Sequence, residues 1–306
     1  MRASLKQSHS NPPPPPRLAR MSALQRIAST AKQRLNDSPA RELLLRFRHR
    51  GIGPTDCFLA SYPKSGNTWL RHVLTHALTG TPTQWRDDFQ QYSIMVGRHH
   101  DLIPTLPGDG RLIKTHESFR SCYPKTILMV RDPRDVAVSE YHYKRQYSSN
   151  RKLIDCDFET FLDAFINGQT SIYGNWGDHT LSWTDSIDAG VTMVLRYEDM
   201  KTDCGKQLRR ALDFLGTPQS DDRIAEALSH TTAEAMRNKE KIYRDSIRGG
   251  HADRRSAGGT QASDRQFVRA AKSGGWRDYF NADTERKLID AFATPMQQHG
   301  YAEPQW

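Results

Sequence analysis

"FLASYPKSGNTWLRHVLTHAL", residues 58–78, carries an apolar run into a Pro-Lys-Ser-Gly loop and leaves it with apolar residues at helical spacing. A buried strand that turns through such a loop into a helix presents unpaired backbone N–H groups at the helix N-terminus. That arrangement seats an oxyanion. Gly66 permits close backbone approach, Ser65 and Thr68 add hydroxyl donors, and Lys64 adds a mobile positive charge. The G-x-x-x-x-G-K-[ST] spelling of nucleotide loops is absent, because here the lysine precedes the Ser-Gly pair. The structural alternative is an ordinary turn with an incidental lysine.

Outward from this unit, strands and helices alternate. "CFLAS" (57–61), "RLIKTH" (111–116), "KTILMVRD" (125–132) and the start of "VTMVLRYEDM" (191–200) read as buried strands. "WLRHVLTHAL" (69–78), "DVAVSEYHYKRQY" (135–147), "FETFLDAFI" (158–166) and "KQLRRALDFLG" (206–216) read as helices, the last closed by Gly216 with Pro218 just beyond. This order predicts one α/β domain over 55–306, P-loop-like, with a mostly parallel central sheet flanked by helices. The Gly-, Ser- and Arg-rich stretch 245–275 reads as a long mobile loop or lid. Residues 1–20, with five consecutive prolines from Pro12 to Pro16, read as a disordered tail. Residues 21–54 read as a basic helical extension, with Met21 a candidate start and Leu24, Ile27, Ala28, Ala31 and Leu35 at helical spacing. Three readings of that extension stay open: an organelle-targeting peptide, weak membrane-surface contact by residues 21–50, or a helix packed on the domain.

The chain of 306 residues carries a formal charge of +9, and its distribution matters more than its size. Residues 1–54 hold eleven Lys/Arg against two Asp/Glu, while the remaining 252 hold 33 of each sign. The domain is therefore not a basic, nucleic-acid-coating one, and no nucleic-acid partner is expected. No apolar run approaches the ~20 residues that cross a bilayer. Cys57, Cys122, Cys156 and Cys204 are widely spaced and form no C-x-x-C pair, which reads as buried, reduced thiols in a cytoplasmic setting. No cluster has metal-ligand spacing, and His99-His100 reads as a loop pair, so no metal is expected.

Two further segments carry chemistry. "LIKTHES" (112–118) places Lys114 and His116 on one face at a strand's carboxyl end, the edge where open α/β sheets bind ligands. A histidine there can act as a base near neutral pH, although a hydrogen-bonded structural histidine fits the same pattern. "ILMVRDPRDVAVSEYHY" (127–143) delivers Arg131 to the sheet edge, starts a helix at Pro133 and returns Ser139 to the cleft. An arginine and a serine converging there suit a phosphate. A surface Arg131–Asp135 pair is the plainer alternative.

"YPKSGNTW", "KTH" and "VRDPRDVAVSEYHY", in that order, resemble the signature segments of the cytosolic-type sulfotransferases that use 3′-phosphoadenosine-5′-phosphosulfate (PAPS). "RYEDM" (196–200), "HTTAEAM" (230–236) and, in degraded form, "VRAAKSGGWRDYF" (268–280) resemble later segments of the same family. The resemblance spans about residues 56–280. It implies transfer of a sulfuryl group from PAPS to a hydroxyl, or an amine, of a small-molecule acceptor, with PAP as the other product and no metal. By resemblance, Lys64, Ser65, Gly66, Asn67 and Thr68 cradle the 5′-phosphosulfate. Trp69 stacks on the adenine with help from Tyr197 and Thr231. Arg131, Ser139 and Arg269 grip the 3′-phosphate, His116 is the catalytic base, and Lys64 and Lys114 stabilise the transferring group.

The chain departs from that pattern in three places. Asn67 stands where the family usually has Thr, and the aromatic adenine contact falls on Ala233. The family's Arg-Lys-Gly triplet is Arg269-Ala270-Ala271, for which Lys272, Arg254 or Arg255 are candidate substitutes. Trp85, Phe89, Tyr92, His99 and Tyr147 fit an aromatic acceptor pocket and equally fit helix packing. Two other classes stay open from the residues: a P-loop-type kinase needing Mg²⁺ and ATP, and a catalytically silent nucleotide-binding protein.

Overall fold

Alternate residues of β1 (Cys57–Ser61) divide between two apolar cores: Phe58 and Ala60 enter one, Cys57 and Leu59 the other. A strand buried on both faces belongs at the centre of a parallel sheet covered by helices. The computed structural model describes residues 40–85, 90–148, 150, 153, 155–249, 268 and 272–301. Its five-stranded sheet runs β2 (Ser93–Met95), β3 (Leu112–Thr115), β1, β4 (Thr126–Val130), β5 (Thr192–Arg196), and every neighbouring pair is parallel. The chain builds outward from β1 to one side through β2 and β3, then to the other through β4 and β5. The carboxyl ends of β1, β3 and β4 therefore flank the point where strand order reverses, and a crevice opens there.

One face is covered by α2 (Asn67–Thr79), α8 (Cys204–Leu215) and α9 (Asp221–Ser229), through Leu70, Val73, Leu74, Leu208, Leu212 and Ile224. The other is covered by α3 (Pro133–Tyr147), α4 (Phe158–Ile166), α11 (Ala282–Ala291) and α12 (Ala293–Gln298), with Trp176, Trp183 and Trp276 filling the space between them. Between these lie α5 (Trp176–Leu181), α6 (Thr184–Asp188), α7 (Tyr197–Thr202) and α10 (Ala233–Gly249). A single turn of 3-10 helix, Gly275–Asp278, follows α10. Three layers result, as the alternating pattern predicts.

Several elements depart from their expected form. The stretch 245–275 is not one loop: α10 continues to Gly249, and Gly275–Asp278 is helical. Helix formers such as Ala233, Glu234, Ala235, Met236 and Lys239 carry α10 past the point where Gly and Ser begin. Its middle, 250–267 and 269–271, lies outside the described residues, as do Arg254, Arg255, Arg269 and the helix expected at 21–35. β5 is less buried than expected, with Met193 and Val194 only partly buried, because it is an edge strand. Strand β2 had no readable pattern. It is held from α2 by the buried guanidinium of Arg71, which donates to Ser93 Oγ at 3.1 Å and also to the Ser93 carbonyl. The four thiols are free, but only Cys57 is buried; Cys156 and Cys204 are half-buried and Cys122 is exposed, so the buried reading holds at one position alone.

The last turns of the basic extension form α1 (Ala40–Arg48), which packs on the domain through buried Leu45 and an Arg41–Glu117 pair at 2.8 Å. No helix among the described residues is long and apolar enough to cross a membrane. At the opposite edge, buried Arg134 at the start of α3 binds Asp132 and Glu285 and stacks on Trp276. Tyr301 donates its hydroxyl to Glu198 at 2.6 Å, tying the end of the chain to the exit of β5.

Candidate active site

A cavity of about 550 Å³ opens at the carboxyl ends of the strands. Its floor is the loop from β1 to α2. Tyr62 is buried and donates to the Gly174 carbonyl at 3.0 Å, which fixes the loop's entry. Lys64 takes φ 69° and Gly66 φ 100°, both in the left-handed region. A Cβ on Gly66 would lie 2.6 Å from the Tyr197 ring and 3.0 Å from Met129 Sδ, so only glycine fits. Helix α2 then starts with no side-chain cap and no acidic residue in its first turn. Elsewhere Asp132, Asp157, Asp203, Ser220 and Asn281 cap α3, α4, α8, α9 and α11. The N–H groups and positive dipole end of α2 are thus left for an anion.

The loop side chains behave differently from one another. Lys64, Gly66, Asn67, Thr68 and Trp69 border the cavity, whereas Ser65 is buried beside it and does not. Asn67 turns inward, its Nδ2 donating to the Leu59 carbonyl at 2.9 Å, so it offers the cavity only backbone. Ser65 Oγ and Asn67 Oδ1 are buried without a hydrogen-bond partner.

His116 and Lys114 both face the cavity from the end of β3. His116 Nδ1 lies 2.7 Å from the Ser61 carbonyl oxygen, which can only accept, so the proton is on Nδ1 and the lone pair on Nε2. Burial, with Lys114 adding repulsion, holds the imidazole well below its ordinary value, so it is neutral at pH 7. Burial pulls Lys114 down to about 7, helped by the charges of Arg71 and Lys64. Burial likewise pulls Lys64 down to about 8, with Glu140 opposing. The Lys64 nitrogen lies over the Tyr143 ring, 4.3 Å from its centroid.

At the far end, Trp69 and Tyr197 meet edge to face with centroids 5.8 Å apart, and the Trp69 indole N–H donates to the Thr231 carbonyl at 2.9 Å. Ala233, Met236 and Lys201 complete this wall, and Lys201 Nζ lies 5.6 Å from the Trp69 centroid. Arg131 joins three parts of the site. It donates to the carbonyls of Lys64 at 3.2 Å and Lys272 at 2.8 Å, and stacks on Tyr197 at 4.3 Å. The Arg131–Asp135 pair exists at 3.7 Å, but it is buried rather than superficial. Asp135 accepts from the backbone N–H groups of Gly274 and Trp276, which fastens the late segment beside Arg131. Ser139 borders the same cavity, as does Lys272, while Arg269 lies outside the described residues.

Sequence reading passed over Glu140, Tyr143, Lys144, Ser171, Tyr173, Lys201 and Met236, all on the cavity wall. Tyr143 was within reach of it, one helical turn beyond Ser139 on the same face. Nothing in the sequence marks 171–173, which reach the site only through the fold. Of the aromatic candidates, Trp85 both borders the cavity and stacks on His72. His99 is instead buried against His100, and Tyr92 does not border the cavity. Phe89 and the Tyr147 side chain lie outside the described residues. Among the described residues no three His, Cys, Asp or Glu side chains gather as metal ligands.

Comparison with known proteins follows this geometry. The sulfotransferase domain family matches residues 54–300. A flavonol 4′-sulfotransferase of Flaveria chlorifolia is 30% identical over 264 residues, covering 78% of each chain. Sulfotransferase 1B1 of the dog is 27% identical over 253 residues, covering 77% of this chain and 81% of its own. Among solved structures, mouse sulfotransferase SULT7A1 complexed with PAP superimposes with a TM-score of 0.63 at 26% identity, covering 86% of this chain and 91% of its own. A parallel sheet with an uncapped anion loop, a match over nearly the whole domain and relatives that agree along it lead to one assignment: the chain belongs to the sulfotransferase domain family and is a sulfuryl-transferring enzyme.

Proposed function

We propose that residues 55–306 form a sulfotransferase that uses PAPS as donor and a small hydroxyl-bearing molecule as acceptor, with His116 as general base. One observation carries the reading: a histidine with its tautomer fixed shares a single cavity with two lysines and an uncapped helix N-terminus. The residues present fit the donor. The glycine that no Cβ could replace and the unpartnered Ser65 hydroxyl lie at the loop where the phosphosulfate end belongs. Arg131, Ser139 and Lys272 border the cavity and would take the 3′-phosphate, while Trp69, Tyr197 and Thr231, grouped on the same cavity, would take the adenine. PAP bound to the mouse relative agrees with this donor class.

PAPS, when bound, supplies the sulfuryl group. The protein's own part is positional and electrostatic. His116 takes the acceptor's hydroxyl proton at Nε2 while the Ser61 carbonyl holds the ring through Nδ1. Lys64, on the loop, stabilises negative charge on the departing phosphate oxygen as the acceptor oxygen forms its bond to sulfur and the old sulfur–oxygen bond breaks. Lys114, one strand over, stabilises the sulfuryl oxygens. Arg131 and Ser139, beside the backbone that Asp135 fastens, take the 3′-phosphate end.

The test incubates purified protein with sulfur-labelled PAPS, without divalent metal, against phenols, alcohols, glycans and amines. Labelled product with a hydroxyl acceptor supports the reading. ATP-dependent, Mg²⁺-dependent phosphorylation would replace it with a kinase, and saturable PAPS binding without turnover on any acceptor would replace it with a silent binding protein.

A further inference from the structure

Both chain neighbours of His116 are held by a helix that precedes the domain. α1 belongs to the basic extension, and none of its residues borders the cavity. Arg41 and Arg48, two turns apart on one face of α1, grip Glu117, the residue after His116. Arg41 Nη2 lies 2.8 Å from one carboxylate oxygen and Arg48 Nη1 3.6 Å from the other. Glu117 is only 5% exposed, so the two guanidiniums replace the water its charge has lost. Arg48 also donates to the Val96 carbonyl at 2.9 Å, just past β2. A second line of bonds runs from the same place back to the extension. The Glu117 N–H donates to Thr115 Oγ1 at 3.1 Å, and that hydroxyl lies 3.4 Å from the Tyr123 hydroxyl. Tyr123 Oη lies 3.0 Å from Nε2 of His49, one residue past α1, and His49 Nδ1 lies 2.6 Å from the Leu45 carbonyl oxygen. A carbonyl can only accept, so Nδ1 carries the proton, Tyr123 donates to Nε2, and Thr115 donates to Tyr123. Each bond in this line therefore has one direction.

The Ser61 carbonyl fixes the His116 tautomer but holds only one ring nitrogen, and β3 ends at Thr115. Where the strand stops, the position of His116 is set by its two neighbours, and both are tied to the extension. We propose that α1 positions the catalytic base: Arg41 and Arg48, acting through Glu117, aim His116 Nε2 at the acceptor hydroxyl. Glu117 is then a positioning residue, and the last helix of the extension is part of what the reaction needs. The proposal rests on the sulfotransferase reading with His116 as base, and adds a requirement that residues 55–306 alone do not meet. The donor's seat lies on other elements, the β1–α2 loop and the start of α3. A shift of about 1 Å in a reacting group costs up to about a hundredfold in rate, so loosening Glu117 acts on kcat and leaves PAP affinity alone.

The experiment compares the full-length protein with its Glu117→Gln and Arg41→Gln variants. PAP is titrated by calorimetry, and transfer from labelled PAPS is measured on the same preparation. The acceptor is 4-nitrophenol, or whichever hydroxyl compound the screen above shows wild type to sulfate. PAP stoichiometry counts the folded sites, and kcat is expressed per such site. Glu117→Gln keeps the shape and loses the charge; it is expected to lower kcat per site by about tenfold or more, with PAP affinity within about twofold of wild type. Arg41→Gln leaves Arg48 on the carboxylate and is expected to lower kcat per site by at least about threefold, which decides the matter should Glu117→Gln fail to fold. Wild-type kcat per site overturns the proposal. So does a loss matched by PAP affinity or by the number of PAP-binding sites, since α1 would then only support the fold. Failure of the parent reading shows separately, as PAP that does not bind wild type or a His116→Ala variant that transfers at the wild-type rate.

Discussion

His116 can accept a proton only at Nε2, because Nδ1–H is committed to the Ser61 carbonyl at 2.7 Å. Lys114 has a different conflict: half-buried on the cavity wall, it is pulled down to about 7 by desolvation, so the fold carries a penalty on its charged form. The penalty is full below pH 7, where the lysine is charged folded and unfolded alike, and fades as pH rises toward its ordinary value. Lys114→Met therefore raises the melting temperature near pH 7 by about 2–4 °C while cutting transfer by about tenfold or more, measured by calorimetry and initial rates. Unchanged activity would remove Lys114 from the mechanism. Gly66→Ala places a methyl against Tyr197 and Met129 and is expected to weaken PAP binding by about tenfold or more. Wild-type affinity in that variant would mean that the loop is not the anion seat.

At the scale of elements, the site depends on how the late segment is fastened to α3. Asp135 accepts from Gly274 and Trp276 and pairs with Arg131, so Asp135→Ala frees both the segment and the guanidinium. The expected result is a raised KM for PAPS, by about tenfold, with less effect on kcat; an unchanged KM would show that the segment does not help hold the donor. The central elements were legible because their signals are local. The strand–loop–helix at 57–79, the helix at 158–166 and the Gly216 cap each follow from apolar period and turn chemistry within a dozen residues. So were Lys64, His116 and Arg131, which stand at strand ends where parallel sheets put ligands. What was not legible depends on distant partners. Strand β2 exists because Arg71 holds Ser93 from another element, and the inward turn of Asn67 answers the Leu59 carbonyl. Glu140 and Tyr173 reach the cavity from segments whose sequences signal only helix and loop.

Over the whole molecule, the cavity gathers depressed lysines in a domain whose charges otherwise balance. Lys64 at about 8 and Lys114 at about 7 are partly neutral at pH 8, and a bound polyanion favours their charged forms. PAP binding near that pH should take up protons, visible as a dependence of calorimetric heat on buffer ionisation, and affinity should fall as pH rises past 8. Heat independent of buffer would contradict this charge assignment. The central claim separates binding from chemistry: the loop and Arg131 hold the donor, and His116 moves the proton. The most direct test is His116→Ala, with PAP affinity measured by calorimetry and sulfuryl transfer from PAPS measured on the same preparation. The account predicts PAP affinity within about twofold of wild type and a loss of transfer of about 10²–10⁴-fold. Lost PAP binding, or transfer at the wild-type rate, would contradict it.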